Sequence, residues 1–185
     1  MTSRYTADKI KEETKDYIEF QVVVNAPVDF EHKVYDFSSV DTLLKGAETI
    51  ALQDCPCRLS TGDCEYLLDV CILLDERAEK LLAKGDRNSR QVSYMEAREA
   101  LVRANQAGLV LTSILRTGDE APKTICNCCP CCCHTLQGLI HHGLASKILT
   151  SDKVVEYDSK KCVNCHACVD RCYFGALSLR DSSLV

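Results

Sequence analysis

Tryptophan is absent from this 185-residue chain, and proline, with 4 residues, and glycine, with 8, are scarce. This composition excludes a collagen-like fibre. No apolar run approaches the roughly 18 residues that a membrane span needs, so we expect no membrane span. Basic residues are not in excess either, because 22 Lys and Arg stand against 27 Asp and Glu, for a formal charge of −5. Nucleic acid is therefore not an expected partner, since binding its phosphates needs a basic surface.

Cysteine is the residue in excess, with 14 positions. The opening segment MTSRYTADKIKEETKDY lacks the apolar core of a secretory signal, so we expect a cytoplasmic protein. Cytosolic thiols are kept reduced, and the neighbouring cysteines at 128–129 and 131–133 are too constrained to pair easily with one another. Reduced cysteines at this density are normally metal ligands.

The hydrophobic pattern predicts an α+β fold. An α-rich region, residues 1–120, precedes a cysteine-dense region, residues 121–185, with a loose boundary near 117–122. Helices are predicted at 5–20, 39–45, 64–84, 94–107 and 135–142, and strands at 21–24, 109–115, 123–125, 153–157 and 176–179. Ser93 and Glu96 have the spacing of a capping box, and Gly85 suits a helix C-cap.

The helix at 94–107 and the following hairpin are similar to part of a winged helix. This helix is as acidic and apolar as it is basic, which makes DNA binding the weaker alternative.

The last four cysteines, Cys162, Cys165, Cys168 and Cys172, have the spacing C-x2-C-x2-C-x3-C of bacterial ferredoxins. Three cysteines on one tight loop reach three corners of a [4Fe–4S] cube. The fourth begins a helical turn that points elsewhere, and in two-cluster ferredoxins it serves the other cluster. We predict that these four cysteines are iron ligands.

On these residues, positions 153–182 resemble a 4Fe–4S ferredoxin-type domain, which gives the chain a C-terminal half-ferredoxin unit. The match departs from the family in two ways: Tyr173 stands where the family usually has proline, and a second ferredoxin half is missing before Val185.

Two alternatives to an iron–sulfur cluster remain for these cysteines. Cys162 to His166 has the C-x-x-C-H form of covalent haem attachment, although no export signal accompanies it. Four cysteines also bind zinc, although zinc ribbons usually separate two C-x2-C pairs by a longer stretch.

A second group lies in the middle of the chain, where six thiols and one imidazole occupy nine residues. The group consists of Cys126, Cys128, Cys129, Cys131, Cys132, Cys133 and His134. No single tetrahedral ion can use them all. We expect some of them to complete a cluster with Cys172, or to supply the fourth ligand of the cluster on Cys162, Cys165 and Cys168. The others would pack beside sulfide or act as resolving thiols, and His134 would hydrogen-bond to sulfur.

A third group comprises Cys55, Cys57, Cys64 and Cys71, whose spacing is not a common zinc spacing. Cys64 and Cys71 would share one face of the helix predicted at 64–84. These four cysteines are a candidate third cluster site. The alternative is that Cys71 is an ordinary buried thiol among leucines.

Residues 49–179 are similar to a family of 4Fe–4S proteins from anaerobes. The resemblance is carried by Cys55-Pro56-Cys57-Arg58 and by the segment 126–133 ahead of a ferredoxin-type domain. Members often continue into a second ferredoxin motif, which is absent here. The resemblance implies iron–sulfur electron transfer.

We therefore expect an iron–sulfur protein with two or three [4Fe–4S] clusters. It would pass single electrons between redox protein partners, or within a larger oxidoreductase complex, in an anaerobic cytoplasm. Each cluster held by four thiolates adds a charge of roughly −2, which Arg58, Lys160, Lys161 and Arg171 are placed to offset. The alternatives are an enzyme subunit with an open-iron catalytic cluster and a cluster-based redox sensor. The sequence holds no nucleophile–base set or glycine-rich phosphate loop that supports the enzyme.

Overall fold

The computed structural model describes residues 30–62, 64–116, 119–142, 149–153, 156–180 and 183–184. The helix predicted at 5–20 and the strand predicted at 21–24 lie outside these residues. The chain divides into two compact units, Met1–Asp152 and Lys153–Val185. The fold is a mixture of α-helices and β-strands.

A seven-stranded sheet forms the centre of the first unit. Its strands are β1 Phe30–Val34, β2 Ile50–Gln53, β3 Cys71–Leu74, β4 Arg90–Gln91, β5 Val110–Arg116, β6 Thr124–Cys128 and β7 Leu149–Thr150. Their order across the sheet is β4-β2-β3-β6-β5-β1-β7. The neighbouring strands run antiparallel, except that β7 pairs with β1 in parallel.

Helices cover both faces of this sheet. They are α1 Phe37–Gly46, α2 Pro56–Thr61, α3 Glu76–Lys84, α4 Tyr94–Gln106 and α5 His134–His142. The main core lies between α1, α4 and one face of β2 and β3, and it includes Leu44, Leu52, Ile72 and Leu101. Alternate strand residues point the other way, so Ala51 packs with α3. The predicted capping box of Ser93 and Glu96 opens α4, and Gly85 ends α3 in the left-handed conformation.

The long helix predicted at 64–84 is wrong in its first half. Cys71–Leu74 is the buried strand β3, and the helix begins only at Glu76. The four residues of β3 are all buried, so their apolar run carries no alternation, and periodicity cannot separate such a strand from a buried helix. Cys64 lies in the loop before β3. Cys64 and Cys71 therefore share no helix face.

The sheet also joins parts of the chain that the sequence placed in different regions. β5 and β6 pair along five residue positions, from Val110 with Cys128 to Ile114 with Thr124, on either side of the segment 117–122. The division between the compact units comes later, after Asp152. The helices predicted at 39–45, 94–107 and 135–142, and the strands at 109–115 and 123–125, are confirmed as α1, α4, α5, β5 and β6. The front region, which the sequence predicts to be α-rich, is instead organised around this sheet. The strands β2 and β3 are not evident in the sequence because they are short and fully buried.

The second unit is small. Its described residues form one short helix, α6 Ala167–Arg171, and a two-stranded antiparallel sheet of β8 Leu179–Arg180 and β9 Ser183–Leu184. Positions 153, 156 and 157 are not in a strand, and the remaining two positions of the strand predicted there lie outside the described residues. Within the described parts of both units, every helix is too short or too polar to cross a bilayer.

Candidate metal centres

The four cysteines of the ferredoxin-type spacing lie on one loop and one helical turn of the second unit. Cys162 and Cys165 precede α6, Cys168 lies in it, and Cys172 follows directly as its C-cap. Cys165 and Cys168 are exposed, whereas Cys162 and Cys172 are half-buried. Among the described residues, these four cysteines are not brought together as the ligands of a single metal ion.

Backbone N–H groups stabilise two of these sulfurs as anions. The N–H of Asn164 donates to Cys162 Sγ and the N–H of Ala176 donates to Cys172 Sγ, each at 3.4 Å. Desolvation opposes ionisation of Cys172, but the N–H groups around its sulfur outweigh it and lower the pKa. The pKa of Cys162 is lowered by the Tyr157 hydroxyl and by the N–H of Asn164. Since a thiolate is the form that binds metal, the loop fits an iron–sulfur cluster.

The first unit holds a tighter group, formed by Cys64, Cys129, Cys131 and Cys132. Their sulfur atoms all lie within 4.8 Å of one another. Cys64 Sγ is 3.6 Å from Cys131 Sγ and 3.9 Å from Cys129 Sγ, and the sulfurs of Cys131 and Cys132 are 3.6 Å apart. We call these four residues the compact thiol group.

The remaining six cysteines surround the ends of β3 and β6. This second collection, the six-thiol group, consists of Cys55, Cys57, Cys71, Cys126, Cys128 and Cys133. The Cys55 thiol interacts with those of Cys57 and Cys71, and the Cys128 thiol interacts with those of Cys126 and Cys133. An electrostatic interaction of the Cys57 thiol with the Cys133 and Cys128 thiols links these two sets of three cysteines.

The structure therefore regroups the cysteines that the sequence placed together. Cys64 belongs to the compact thiol group and not to a group with Cys55, Cys57 and Cys71. The six central cysteines are divided equally, with three in the compact thiol group and three in the six-thiol group. Strand pairing explains the regrouping, because β3 lies beside β6 and brings Cys71 next to the strand that carries Cys126 and Cys128.

Arg58 lies between the two groups and is only 2% exposed. Its Nη1 donates to the Leu67 carbonyl and its Nη2 donates to the Asn127 carbonyl, each at 2.6 Å. Desolvation works against the buried charge, but attraction to Cys129 and Cys55 raises the pKa of the guanidinium. A buried cation costs several kcal/mol unless it is paired. The groups placed to pair with Arg58 are cysteine sulfurs, and they can do so only as thiolates.

His32 is a buried residue whose position the sequence did not single out. It is 5% exposed, with Nδ1 3.1 Å from Thr135 Oγ1 and Nε2 2.9 Å from Thr112 Oγ1. Thr112 Oγ1 in turn lies 3.4 Å from Cys128 Sγ. His32 therefore connects β1 to α5 and, through Thr112, to the six-thiol group. No motif marks His32 in the sequence, because its partners come from distant parts of the chain.

Burial lowers the pKa of His32 to about 4 from 6.5. Above pH 6.5 the imidazole is neutral in the folded and unfolded states. As the pH falls towards 4, the unfolded chain takes up a proton that the folded chain resists, so stability is lost. We expect wild type to lose up to about 3 kcal/mol more stability between pH 7 and pH 4 than His32→Gln, as measured by urea unfolding. Parallel pH profiles of stability for the two proteins would contradict this expectation. Both proteins keep every cysteine, so any loss of metal in acid affects their stabilities equally.

Part of the second unit is similar to a known family. Residues 155–178 match the family model Fer4, a 4Fe-4S binding domain. No curated protein and no solved structure is significantly similar to the chain. The matched segment contains Cys162, Cys165, Cys168 and Cys172, which favours iron–sulfur binding there over haem or zinc. The match and the many cysteines together support an iron–sulfur, metal-binding protein.

Proposed function

We propose that the protein transfers single electrons through a [4Fe–4S] cluster held by Cys162, Cys165, Cys168 and Cys172. Cys172 is the fourth cysteine of the second unit, and we assign it to this cluster rather than to another one, which is its role in two-cluster ferredoxins. The observation that carries this proposal is the family match at residues 155–178, which includes all four cysteines. When bound, such a cluster accepts and releases one electron without forming or breaking a bond in a substrate.

The backbone around the cysteines tunes this site. The N–H groups of Asn164 and Ala176 that donate to Cys162 and Cys172 withdraw electron density from the sulfurs. Hydrogen bonds to ligand sulfurs raise the reduction potential of an iron–sulfur cluster. The exposed side chains of Lys160, Lys161 and Arg171 add positive charge close to the ligands in sequence. They would offset part of the negative charge that a cluster brings to an acidic chain.

The surface around the ligands suits brief contact with another redox protein. Cys165 and Cys168 are exposed, so an electron would enter or leave close to the surface. Val163, between two ligands, is 82% exposed, and the aromatic rings of Tyr157 and Phe174 are also exposed. Exposed apolar side chains with a charged rim are typical of interaction sites. The proposed partner is a redox protein or a larger oxidoreductase complex.

We place a second [4Fe–4S] cluster in the six-thiol group, with four of the six as ligands. These six thiols interact with one another at the ends of β3 and β6, but they are not gathered as the ligands of a single ion. The buried guanidinium of Arg58, attracted to Cys55 and Cys71, supplies a positive charge beside these thiols. Each chain would thus hold two clusters. Reduced thiols on this scale point to a reducing compartment, such as the cytoplasm of an anaerobe.

A redox titration monitored by electron paramagnetic resonance (EPR) tests the function. We expect anaerobically purified protein to show a spin-½ signal on reduction that disappears on reoxidation. Each cluster should contribute a one-electron Nernst curve that is the same in both directions. A protein that gives no such signal, or that loses its iron in one reduction cycle, would not be an electron carrier.

A further inference from the structure

We propose that the compact thiol group binds one Zn²⁺ ion in a closed tetrahedral site that is separate from the iron–sulfur clusters. Zinc–thiolate bonds of about 2.3 Å, directed to the corners of a tetrahedron, place the sulfurs about 3.8 Å apart. Three of the six sulfur–sulfur separations are 3.6, 3.6 and 3.9 Å, and all four sulfurs lie within 4.8 Å of one another. A [4Fe–4S] cube spreads its thiolates further, because each one binds a different iron.

The ligand set defines the kind of metal site. Four thiolates in a tetrahedral arrangement are typical of zinc or of iron–sulfur sites, and the short sulfur separations favour a single ion. Cys129 and Cys132 are buried, and Cys64 and Cys131 are half-buried. With four protein ligands the ion has no open position, which is the arrangement of structural rather than catalytic zinc.

The metal would join two segments that are distant in sequence. Cys64 lies in the loop between α2 and β3, whereas its three partners lie in the turn between β6 and α5. Cys129 and Cys132 pack with Val70 and Leu109 in a small core beneath this turn. A bound ion would therefore fix the loop over this core, and metal binding of this kind contributes directly to folding.

Arg58 connects the same two segments by a second route. Its guanidinium bridges the Leu67 carbonyl in the loop and the Asn127 carbonyl in β6. Its charge is also attracted to Cys129, a member of the compact thiol group. A zinc ion held by four thiolates has a net charge of about −2, which this buried cation partly balances. Zinc and Arg58 together would fix the end of β6, which carries Cys126 and Cys128 of the six-thiol group.

Metal analysis and X-ray absorption on the full-length protein, purified anaerobically, test the proposal. Wild type should contain about one zinc per chain, and its zinc-edge spectrum should show four sulfur neighbours at about 2.3 Å. Cys64→Ser and Cys131→Ser should lose most of the zinc and keep the iron of the second unit. Cys71→Ser, in the six-thiol group, and Cys162→Ser, in the second unit, should both keep the zinc.

The outcomes separate this proposal from the electron-transfer function. Loss of iron from Cys162→Ser with zinc retained supports two independent sites. Zinc that persists in Cys64→Ser and Cys131→Ser would overturn the proposal, as would a wild-type protein without zinc. If the serine variants fail to fold, the wild-type spectrum still decides, because nitrogen or oxygen neighbours, or fewer than four sulfurs, contradict the site.

Discussion

Cys165→Ser protein, purified without oxygen, is expected to contain about four irons and four sulfides fewer per chain than wild type. Cys165 is an exposed residue on the loop before α6, so its replacement removes a ligand rather than part of a packed core. A serine hydroxyl is a much poorer ligand for iron than a thiolate. Colorimetric iron and sulfide assays, with EPR of the reduced protein, measure the loss.

The matched control is Val163→Ala, which changes an exposed side chain between two ligands and should keep its full iron content. If Cys165→Ser retained wild-type iron and an unchanged EPR signal, the cluster would not lie on this loop. Cys172→Ser extends the test. The same loss of four irons is expected if Cys172 completes the cluster of the other three cysteines, as we propose.

Arg58→Met is expected to destabilise the first unit by about 3–5 kcal/mol and to reduce its metal content. Methionine fills much of the same space, but it leaves the Leu67 and Asn127 carbonyls without their donors and removes the cation beside Cys129. Arg58→Lys should rescue only part of the loss, since an ammonium cannot reproduce the planar fork that bridges two carbonyls. Urea unfolding and metal analysis measure both effects.

Arg98→Met is the control for this prediction. Arg98 forms an ion pair with Asp41 at the protein surface, and such pairs contribute about 1 kcal/mol or less. The iron of the second unit should be unchanged in both variants, because Arg58 lies in the first unit. Equal stability and equal metal content of Arg58→Met and Arg98→Met would show that the guanidinium does not balance thiolate charge.

The sequence predicted those features that depend on neighbours in the chain. The ferredoxin-type spacing places four cysteines on one loop and one helical turn, so Cys162 to Cys172 could be singled out without knowledge of the fold. The capping box at Ser93 and the helix end at Gly85 are local in the same sense. The helices α1, α4 and α5 and the strands β5 and β6 are predicted within a few positions.

The grouping of the other ten cysteines could not be predicted, because it depends on which strands pair. Cys64 and Cys129 are 65 residues apart in the chain, yet their sulfurs are 3.9 Å apart. The sequence predicts a helix where the structure has the strand β3, because a short run that is buried on both faces carries no strand period. Arg58 was recognised as a neighbour of Cys57, but its burial and its bonds to Leu67 and Asn127 depend on tertiary structure.

The most direct test of the central claim is the iron and acid-labile sulfide content of anaerobically purified wild type, combined with EPR after reduction by dithionite. Two clusters predict about eight irons and eight sulfides per chain, with a spin-½ signal in the reduced state. Zinc without labile sulfide, or iron without an EPR signal in the reduced state, would contradict the assignment of Cys162, Cys165, Cys168 and Cys172 to an electron-carrying cluster.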